Sequence, residues 1–349
     1  MINVAINGFG RIGRIALRAI LTKYLAEIKP VAINTSGSMD IEGWVHLFEY
    51  DSVYGRFHGK LKTYPPAERA GISNVKTKKE IGILEINNQA IPVLAEREPA
   101  KIPWRDYKVD VVIESTGVFR DKKSASAHLE GGAKKVVISA PAKETKTFVI
   151  GVNEEDYHGE LVINNASCTT NCVAPITKIM LENFGIQKGL MTTIHAYTAD
   201  QELVDGSHKD LRRARAAAIN IVPTTTGAAI ATTEVLPTLR GLFDGLAIRA
   251  PVACGSLADF TFVTTKRISI KEVNQAIKKA AEGKYKGIVE TSEKPLVSSD
   301  IIGNSASAIV DLPLTQVIDG DLVKIVAWYD NEWGYACRLI ELVIKIGKK

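Results

Sequence analysis

One cysteine stands among hydroxyl residues where a strand pattern gives way to a helix pattern. Apolar residues at helical spacing from Val173 to Leu181 favour a helix, which tolerates Pro175 if that residue falls in the first turn. Cys168 is therefore predicted at or just before the helix N-terminus, where unpaired backbone N–H groups and the helix dipole favour an anion. We expect this setting to shift the thiol toward the thiolate, the reactive form. A buried packing cysteine is the alternative, but three flanking hydroxyl residues favour a polar pocket: Ser167, Thr169 and Thr170.

A glycine-rich turn near the N-terminus points to a dinucleotide. The nearly all-apolar run Ile2–Ile6 leads into Gly8-x-Gly10-x-x-Gly13, and a helix pattern and a second strand, Pro30–Asn34, follow. This order strengthens an otherwise weak glycine motif, because the three glycines allow a tight turn, close approach of a pyrophosphate, and helix–strand packing. A generic glycine turn is the alternative, and a dinucleotide site is the better interpretation.

The remaining patterns place candidate residues at the ends of strands. Residues 56–97 are expected to form antiparallel strands with a turn at Asn87-Asn88, and Val109–Glu114 and Lys135–Ser139 are expected to be parallel strands. The carboxyl ends of parallel strands share one edge of a sheet. Three residues there are predicted to border the dinucleotide: Thr116, Gly117 and Ser139.

The second half of the chain mixes strands and helices around a long irregular segment. A strand pattern over 189–197 carries His195, and residues 199–225 form the long segment, a length that usually has a function or an interface. The predicted fold class is α/β, with a Rossmann-type doubly wound parallel sheet in residues 1–167 and 331–349. An α+β catalytic domain with a mixed sheet is predicted for 168–330.

Composition narrows the class of protein. The chain has 349 residues, 46% of them hydrophobic and 24% charged, with a net charge of +5. That charge is too weak and dispersed for a dedicated nucleic-acid-binding protein, but it suits phosphorylated small molecules. Four cysteines without a paired pattern favour a reducing compartment, and no apolar run reaches the ~20 residues of a membrane span. We expect a cytoplasmic protein without a membrane partner, and no set of metal ligands stands out.

Taken in order, these motifs resemble those of the phosphorylating glyceraldehyde-3-phosphate dehydrogenases. The resemblance runs from Asn3 to about Leu342 and is carried by the glycine turn, Ser167–Asn171, His195–Thr198 and Trp328–Tyr335. It implies that Cys168 attacks the aldehyde of glyceraldehyde 3-phosphate to give a thiohemiacetal. It also implies that His195 accepts the hydroxyl proton as hydride leaves, and that inorganic phosphate releases the resulting thioester as 1,3-bisphosphoglycerate.

The resemblance also implies two anion sites, a cofactor site and a homotetramer. The substrate phosphate would meet Thr198, Asp200 and Arg213, with Asp200 orienting the arginine. Inorganic phosphate would meet Ser167, Thr169, Thr226, Gly227 and Arg249. Asn331 would hold the nicotinamide carboxamide and Tyr335 would limit the orientation of its ring. The other residues predicted to bind the cofactor are Asn7, Gly8, Gly10, Arg11, Ile12, Gly13, Thr35, Thr116, Gly117 and Ser139. In the tetramer, the 199–225 segment would lie near a neighbour's cofactor.

The cofactor itself is predicted to be NADP, alone or alongside NAD. An acidic residue after the second strand usually accepts hydrogen bonds from the ribose of NAD, but here no carboxylate occurs before Asp40. Hydroxyl residues that can donate to a 2′-phosphate stand there instead: Thr35, Ser36 and Ser38. Ser207 lies where NAD-using relatives often have proline. If Asp40 folds back, it restores the acidic contact, and the sequence assures no arginine as a phosphate clamp.

Three other functions compete with this interpretation. Erythrose-4-phosphate dehydrogenase shares the cysteine segment and often releases acid by hydrolysis, but Thr226-Gly227 together with Thr169 favours a retained phosphate site. A thiol hydrolase would have no use for the glycine turn or Asn331. An RNA-binding role would need a basic stripe with interleaved aromatic residues, which the sequence lacks. Cys172 lies one helical turn beyond Cys168 and is assigned no role, although oxidation can make such a thiol a resolving partner.

Overall fold

The computed structural model describes residues 1–66 and 79–348, and the chain divides into two compact units. The first unit comprises Met1–Phe148, Asp156–Asn165 and Leu339–Lys349, and the second comprises Val149–Glu155 and Ala166–Arg338. The sequence predicts boundaries after residues 167 and 330. Part of the predicted antiparallel segment 56–97 falls on residues 67–78, which lie outside the described residues.

The first unit is organised around a largely parallel sheet. Its strands are β1 Ile2–Asn7, β2 Ile28–Asn34, β3 Leu61–Tyr64, β4 Glu80–Ile86, β5 Gln89–Leu94, β6 Val111–Glu114, β7 Lys135–Ile138, β8 Lys146–Thr147 and β9 Val162–Asn164. Among the described residues their order is β3-β4-β5-β2-β1-β6-β7-β9-β8. Only the pairs β3–β4 and β4–β5 in that order are antiparallel. The predicted turn between β4 and β5 is present, with left-handed backbone at Asn87 and Asn88.

Within the described residues, three α-helices accompany this sheet, and each begins where its sequence supplies a suitable start. They are α1 Arg11–Ala19, α2 Ile41–Glu49 and α3 Lys122–Glu130. α1 starts directly after Gly10 without a side-chain cap, whereas Asp40 and Asp121 cap α2 and α3 by accepting hydrogen bonds from backbone N–H groups. Apolar residues of the strands and of α3, among them Ala5, Val112, Val136 and Ala125, form the core together with Trp104.

The second unit contains a mixed sheet and most of the remaining helices. Its strands are β10 Ile186–Ala196, β11 Val222–Thr225, β12 Phe243–Ala250, β13 Ser256–Thr264, β14 Val289–Ser292, β15 Ala308–Asp311, β16 Gln316–Ile318 and β17 Leu322–Tyr329. The described strands run in the order β11-β12-β10-β13-β17-β15-β14, with β16 paired to β17. The helices are α4 Cys168–Phe184, α5 Ala228–Val235, α6 Ile270–Glu282 and α7 Trp333–Gly347, the last of which continues into the first unit. β10 and β12 are parallel, and their register sets His195 beside Arg249.

Two local expectations were wrong. Pro175 lies inside α4 and not in its first turn, because the helix already begins at Cys168. Val222–Thr225 falls within the segment predicted to be irregular, but it forms β11 by antiparallel pairing with β12, a partner far away in sequence. The described residues contain no helix that is long and apolar enough to cross a membrane.

Candidate active site

Cys168 is the first residue of α4, and the turn before it is held in an unusual conformation. The Ser167 hydroxyl caps the helix by accepting a hydrogen bond from the Thr170 backbone N–H at 3.0 Å. Ala166 has a left-handed backbone with φ of +53°, a costly conformation for a residue with a Cβ atom. The Tyr335 hydroxyl donates to the Ala166 carbonyl at 3.2 Å. The backbone that presents the sulfur is therefore fixed from both sides.

His195 stands next to this sulfur. Its Nε2 atom lies 3.4 Å from Cys168 Sγ, and its Nδ1 atom lies 2.6 Å from the Ala196 carbonyl oxygen. The Arg249 Nη1 atom, which only donates, also lies 2.9 Å from Nδ1, so this ring nitrogen contacts one acceptor and one donor. This arrangement suits proton transfer from sulfur to Nε2.

The resting charge of this pair differs from the expectation. Burial raises the pKa of the Cys168 thiol, and the charge of Arg249 and hydrogen bonds at Thr169 oppose only part of that effect. Burial, helped by the Arg249 guanidinium, lowers the pKa of His195 to about 3. Burial therefore favours a neutral thiol and a neutral imidazole in the resting site, against the expected shift of the thiol toward the thiolate. The helix N-terminus does not outweigh the loss of water around the sulfur.

Arg249 brings a partly buried positive charge to the same place. Its Nη1 atom donates to the Ala196 carbonyl at 3.0 Å and to the Thr198 hydroxyl at 3.3 Å. Its Nε atom is buried and has no acceptor in the described part of the chain. Because a buried N–H without an acceptor is costly, this atom marks a place where a ligand oxygen would be stabilised.

Arg213 differs from Arg249, because other protein groups already accept hydrogen bonds from its guanidinium. Asp200 contacts Nη1, the Thr224 hydroxyl accepts from Nε at 2.9 Å, and the Thr225 carbonyl accepts from Nη2 at 3.0 Å. Asp200 therefore contacts and orients Arg213. The Thr226 hydroxyl accepts a hydrogen bond from the Ala228 backbone N–H at 3.1 Å. Gly227 immediately precedes α5, and a Cβ atom on it would have open space around it.

A chain of hydroxyl groups behind the cysteine includes Tyr329, to which the sequence analysis gave no role. Thr193 donates to the Leu257 carbonyl at 3.2 Å, and the Tyr329 hydroxyl lies 2.8 Å from the Thr193 hydroxyl and 3.0 Å from the Thr169 hydroxyl. Tyr329 also packs the edge of its ring against His195, with centroids 6.0 Å apart. Cys172 is fully buried, and burial raises the pKa of its thiol.

Asn331 has its amide orientation fixed by neighbours at the start of β13. The Ser256 hydroxyl donates to Asn331 Oδ1 at 2.8 Å, and the Gly255 backbone N–H donates to the same oxygen at 3.2 Å. The Asn331 amide nitrogen is thus the group left to donate. Ser256 also accepts from the Ala196 N–H at 3.1 Å, which links Asn331 to the strand that carries His195.

The first unit contains a separate cavity of about 540 Å³ at the carboxyl ends of its central strands. The predicted residues that line it are Asn7, Gly8, Gly10, Thr35, Ser36 and Thr116. Gly8 has φ of +96°, and a Cβ atom on it would lie 2.6 Å from the Thr116 nitrogen, so only glycine fits this turn. The described lining does not include the other predicted residues: Arg11, Ile12, Gly13, Gly117, Ser38 and Ser139.

Arg11, Gly13 and Ser139 do not line the cavity, but each has a defined contact within the first unit. The Arg11 guanidinium is bound to Asp51, with Nη2 and Oδ1 3.0 Å apart. Burial opposes ionisation of Asp51, but hydrogen bonds from Arg11 and two backbone N–H groups outweigh it and lower the pKa of that carboxyl. A Cβ atom on Gly13 would lie 2.1 Å from the Gly8 carbonyl oxygen, so Gly13 allows close packing of the turn. Ser139 donates its backbone N–H to the Glu114 carbonyl at 2.9 Å.

One side of the cavity bears on the cofactor prediction. The expectation that Thr35 donates to a 2′-phosphate was wrong, because its buried hydroxyl donates to the Leu94 carbonyl at 3.0 Å and accepts from the Gly37 N–H. Asp40 accepts from the Gly43 N–H at 2.8 Å as the cap of α2 and is not among the described lining residues. Arg97, which the sequence analysis did not identify, lines the cavity.

Comparison with known proteins agrees with both halves of this description. Residues 2–122 match the model of the glyceraldehyde 3-phosphate dehydrogenase NAD binding domain, and residues 167–331 match that of the C-terminal domain. The chain belongs to the glyceraldehyde-3-phosphate dehydrogenase family. Glyceraldehyde-3-phosphate dehydrogenase 2 of Streptomyces avermitilis is 50% identical over 351 residues, which cover 100% of this chain and 99% of that protein. Glyceraldehyde-3-phosphate dehydrogenase of Streptomyces coelicolor is 51% identical, and glyceraldehyde-3-phosphate dehydrogenase 2 of Trichormus variabilis is 49% identical, with the same coverage.

Membership of the glyceraldehyde-3-phosphate dehydrogenase family confirms the predicted family, the α/β fold class and the prediction of a dehydrogenase. The cavity with the glycine turn falls largely within the segment that matches the family's NAD-binding domain. Cys168 and His195 both fall within the segment that matches its C-terminal domain.

Proposed function

We propose that the protein catalyses the phosphorylating oxidation of glyceraldehyde 3-phosphate to 1,3-bisphosphoglycerate, with NAD or NADP as hydride acceptor. The observation that carries this proposal is the 3.4 Å approach of Cys168 Sγ to His195 Nε2. The first unit is proposed as the dinucleotide-binding domain and the second as the catalytic domain. The cytoplasm is the proposed location.

The first chemical step follows from the neutral resting pair. The Cys168 sulfur attacks the aldehyde carbon while its proton moves to His195 Nε2, and the same proton then passes to the developing alkoxide to give a thiohemiacetal. Backbone N–H groups in the first turn of α4 have no intrahelical acceptor, so they can stabilise the developing negative charge on oxygen. Nucleophile activation therefore occurs during the attack and does not precede it.

The second step oxidises the thiohemiacetal. His195 Nε2 takes the hydroxyl proton as hydride leaves the carbon, and the product is a thioester on Cys168 and an imidazolium. NAD or NADP supplies the hydride acceptor when it is bound. Asn331 can donate its amide nitrogen to a carboxamide oxygen, because Ser256 and Gly255 occupy its Oδ1 atom. An oxygen of inorganic phosphate then attacks the thioester, and the sulfur leaves as a thiolate that takes up the imidazolium proton.

The two arginines divide the anion binding between them. Arg249, with its unpaired buried Nε–H and its place beside His195, suits the inorganic phosphate that attacks the thioester. Arg213, held by Asp200 and Thr224, suits the phosphate of the substrate. Ser167, Thr169, Thr198, Thr226 and Gly227 remain proposed phosphate contacts, and the Thr169 hydroxyl also lies 3.0 Å from that of Tyr329.

NADP use, alone or alongside NAD, is retained on a revised set of residues. Ser36 is exposed at the cavity with its hydroxyl 2.9 Å from that of Ser38, so the pair can donate to a phosphate. Arg97 is exposed at the cavity and has no ion-pair partner within the described residues. The Glu96 carboxylate also lines this cavity and favours a free ribose hydroxyl, which supports use of NAD as well.

A homotetramer is proposed on the basis of an open sheet face in the second unit. Leu190, Leu246 and Leu322 are 64%, 45% and 37% exposed on this sheet, beside a cavity of about 940 Å³. An apolar face of this kind favours burial against another copy. The loop residues Leu203, Leu211 and Ile219 are also apolar and each about four-fifths exposed. Light scattering coupled to gel filtration would give about four times the mass of one chain.

The decisive experiment follows the absorbance of reduced cofactor with glyceraldehyde 3-phosphate, with and without inorganic phosphate, for NAD and NADP separately. We expect turnover that requires phosphate and disappears in the Cys168→Ser variant. Turnover that is independent of phosphate would favour the hydrolytic route of an erythrose-4-phosphate dehydrogenase. A preference for NAD above about tenfold in kcat/KM, ~1.4 kcal/mol, would overturn the proposed use of NADP.

A further inference from the structure

A buried carboxylate in the first unit has no part in the chemistry proposed above. Glu114 is the last residue of β6 and is 1% exposed. The Thr116 backbone N–H donates to its Oε1 atom at 2.8 Å, and the Thr116 hydroxyl donates to the same oxygen. Asn7 Nδ2 and His128 Nε2 contact Oε2 at 2.5 Å and 2.9 Å. Four donors therefore converge on one carboxylate.

The histidine in this cluster is held as a donor. The Trp104 indole N–H lies 2.9 Å from His128 Nδ1, and an indole nitrogen can only donate. Nδ1 must therefore accept, so Nε2 carries the proton and donates it to Glu114. His128 and Trp104 are both fully buried. Among the described residues, the donors to this carboxylate are two Thr116 groups, the Asn7 amide and the His128 Nε2–H, and such a network is costly to leave partly satisfied.

The network extends to the ends of three parallel strands that border the 540 Å³ cavity. Asn7 at the end of β1 accepts through Oδ1 from Asn34 at the end of β2, at 2.7 Å. Asn34 in turn exchanges hydrogen bonds with the backbone of Glu96, at 2.8 Å and 2.9 Å. Every one of these donors and acceptors is used inside the protein, so the side chains of Asn7 and Asn34 position the backbone around them.

The consequence for the cavity comes through Thr116. With its N–H and hydroxyl committed to Glu114, its hydroxyl oxygen accepts from the Val118 N–H at 3.1 Å, which fixes the loop that lines the cavity. The Gly8 turn packs directly on this loop, since a Cβ atom on Gly8 would lie within 2.8 Å of three Thr116 and Ser115 backbone atoms. A shift of the Thr116 loop would therefore move the glycine turn.

We propose that Glu114 is the positioning residue of the dinucleotide site, with His128 and Trp104 holding its carboxylate in place. The inference rests on the proposed function, because it assigns the dinucleotide to this cavity. Glu114 does not touch the cofactor. It sets the spacing between the glycine turn and the loop at Thr116, and cofactor affinity depends on that spacing.

The test compares Glu114→Gln with a matched buried carboxylate in the second unit. A glutamine offers one oxygen and one NH₂ group to four donors, so at least two donors lose their acceptor. We expect the Kd for NAD and for NADP, measured by calorimetric titration, to rise at least tenfold. Asp311→Asn is the control, because Asp311 is 4% exposed and accepts from the Trp328 indole N–H at 3.0 Å, away from the cavity lining. Its Kd values should stay within twofold of the parent.

A second readout separates positioning from loss of structure. The rate at which iodoacetamide alkylates Cys168 without cofactor should be unchanged in Glu114→Gln, because the thiol belongs to the other unit. If Glu114→Gln fails to fold, the cofactor Kd values of His128→Leu and His128→Gln are compared instead. Leucine removes the donor to Glu114 and should weaken cofactor binding, whereas the glutamine amide can still donate and should restore it.

Equal cofactor Kd values for Glu114→Gln and the parent, or for His128→Leu and His128→Gln, would overturn the inference. Parallel weakening in Asp311→Asn would also overturn it, by showing that any buried carboxylate matters equally. If the parent chain binds neither NAD nor NADP, the proposed function fails first and this inference fails with it.

Discussion

Two buried polar clusters, one in each unit, are built in opposite ways. Around Glu114, donors and acceptors are matched and the carboxylate receives four hydrogen bonds. Around Cys168, a buried Arg249 Nε–H has no acceptor in the described part of the chain, and burial displaces the pKa of Cys168 upward and of His195 downward. The first cluster is complete without a ligand, and the second is incomplete until one binds.

This difference indicates how a single chain can both hold a cofactor and react with a substrate. A satisfied network fixes backbone positions, which suits recognition of a rigid dinucleotide. An unsatisfied cluster carries a free-energy cost that a bound anion relieves, so binding energy is available for the reaction. Substitutions in the two clusters should therefore fail differently, and the following predictions test that difference from the largest effect to the smallest.

The largest effect is expected for Cys168→Ser. A serine hydroxyl is a far weaker nucleophile at neutral pH than a thiol beside an imidazole, so kcat should fall at least ~10³-fold. The Kd for NAD should stay within twofold, because the residues that line the cavity are unchanged. Steady-state rates and calorimetric titration measure the two quantities. A loss of cofactor affinity as large as the loss of rate would end the proposed separation of roles.

The second prediction concerns stability in acid. In the unfolded chain His195 takes up a proton near pH 6.5, whereas in the fold its pKa is about 3. Between these values unfolding takes up one proton, so the free energy of unfolding falls with falling pH, by ~1.4 kcal/mol per pH unit for this group. His195→Asn should remove that slope between pH 6 and 4 in urea titrations.

A matched change tests whether the slope belongs to His195. His158 is exposed on the surface of the first unit, so His158→Asn should leave the pH dependence of the parent unchanged. If His195→Asn and the parent lose stability in acid at the same rate, the neutral resting pair is not the state of the folded site.

How far the sequence leads can be seen by contrasting the glycine turn with Thr35. The spacing of Gly8 and Gly13 is enough to predict a turn before a helix, because backbone geometry alone requires glycine there. The direction of the Thr35 hydroxyl depends on the Leu94 carbonyl of a strand 59 residues away. Arg97 reaches the cavity for the same reason, since β5 pairs with β2 in parallel. A prediction that β5 pairs with β2 would have indicated both the hydrogen bond from Thr35 to Leu94 and the position of Arg97 at the cavity.

The charge state of Cys168 and His195 could not be predicted from the sequence, for a different reason. Motif order brings Cys168 and His195 together, and their separation of 3.4 Å agrees with that reasoning. The pKa of the thiol depends on how completely surrounding atoms exclude water, which no local pattern records. The same limit applies to Pro175, whose position inside α4 depends on a helix start set by the Ser167 cap.

The third prediction separates the two arginines. Arg249→Lys removes the unpaired Nε–H and the forked geometry, so the KM for inorganic phosphate should rise about tenfold. Arg213→Lys should instead raise the KM for glyceraldehyde 3-phosphate, because a lysine cannot make the hydrogen bonds that hold the Arg213 guanidinium beside Asp200. Initial rates with each substrate varied in turn distinguish the cases. If both variants raised the same KM, the proposed division of the anion sites would be wrong.

The smallest effect is expected for Tyr335→Phe. Removing the hydroxyl that donates to the Ala166 carbonyl costs ~1 kcal/mol of support for a left-handed backbone, so kcat should fall about fivefold. Alkylation of Cys168 by iodoacetamide, measured without cofactor, should slow by a similar factor if the sulfur is misplaced.

Tyr285→Phe provides the control for this change. The Tyr285 hydroxyl is also buried in the second unit but has no hydrogen-bond partner among the described residues, so its removal breaks no contact. We expect Tyr285→Phe to match the parent in both assays. If Tyr335→Phe and Tyr285→Phe gave the same kcat and the same alkylation rate, the Tyr335 hydrogen bond would not contribute to the left-handed backbone at Ala166. The Ser167 helix cap alone would then position Cys168.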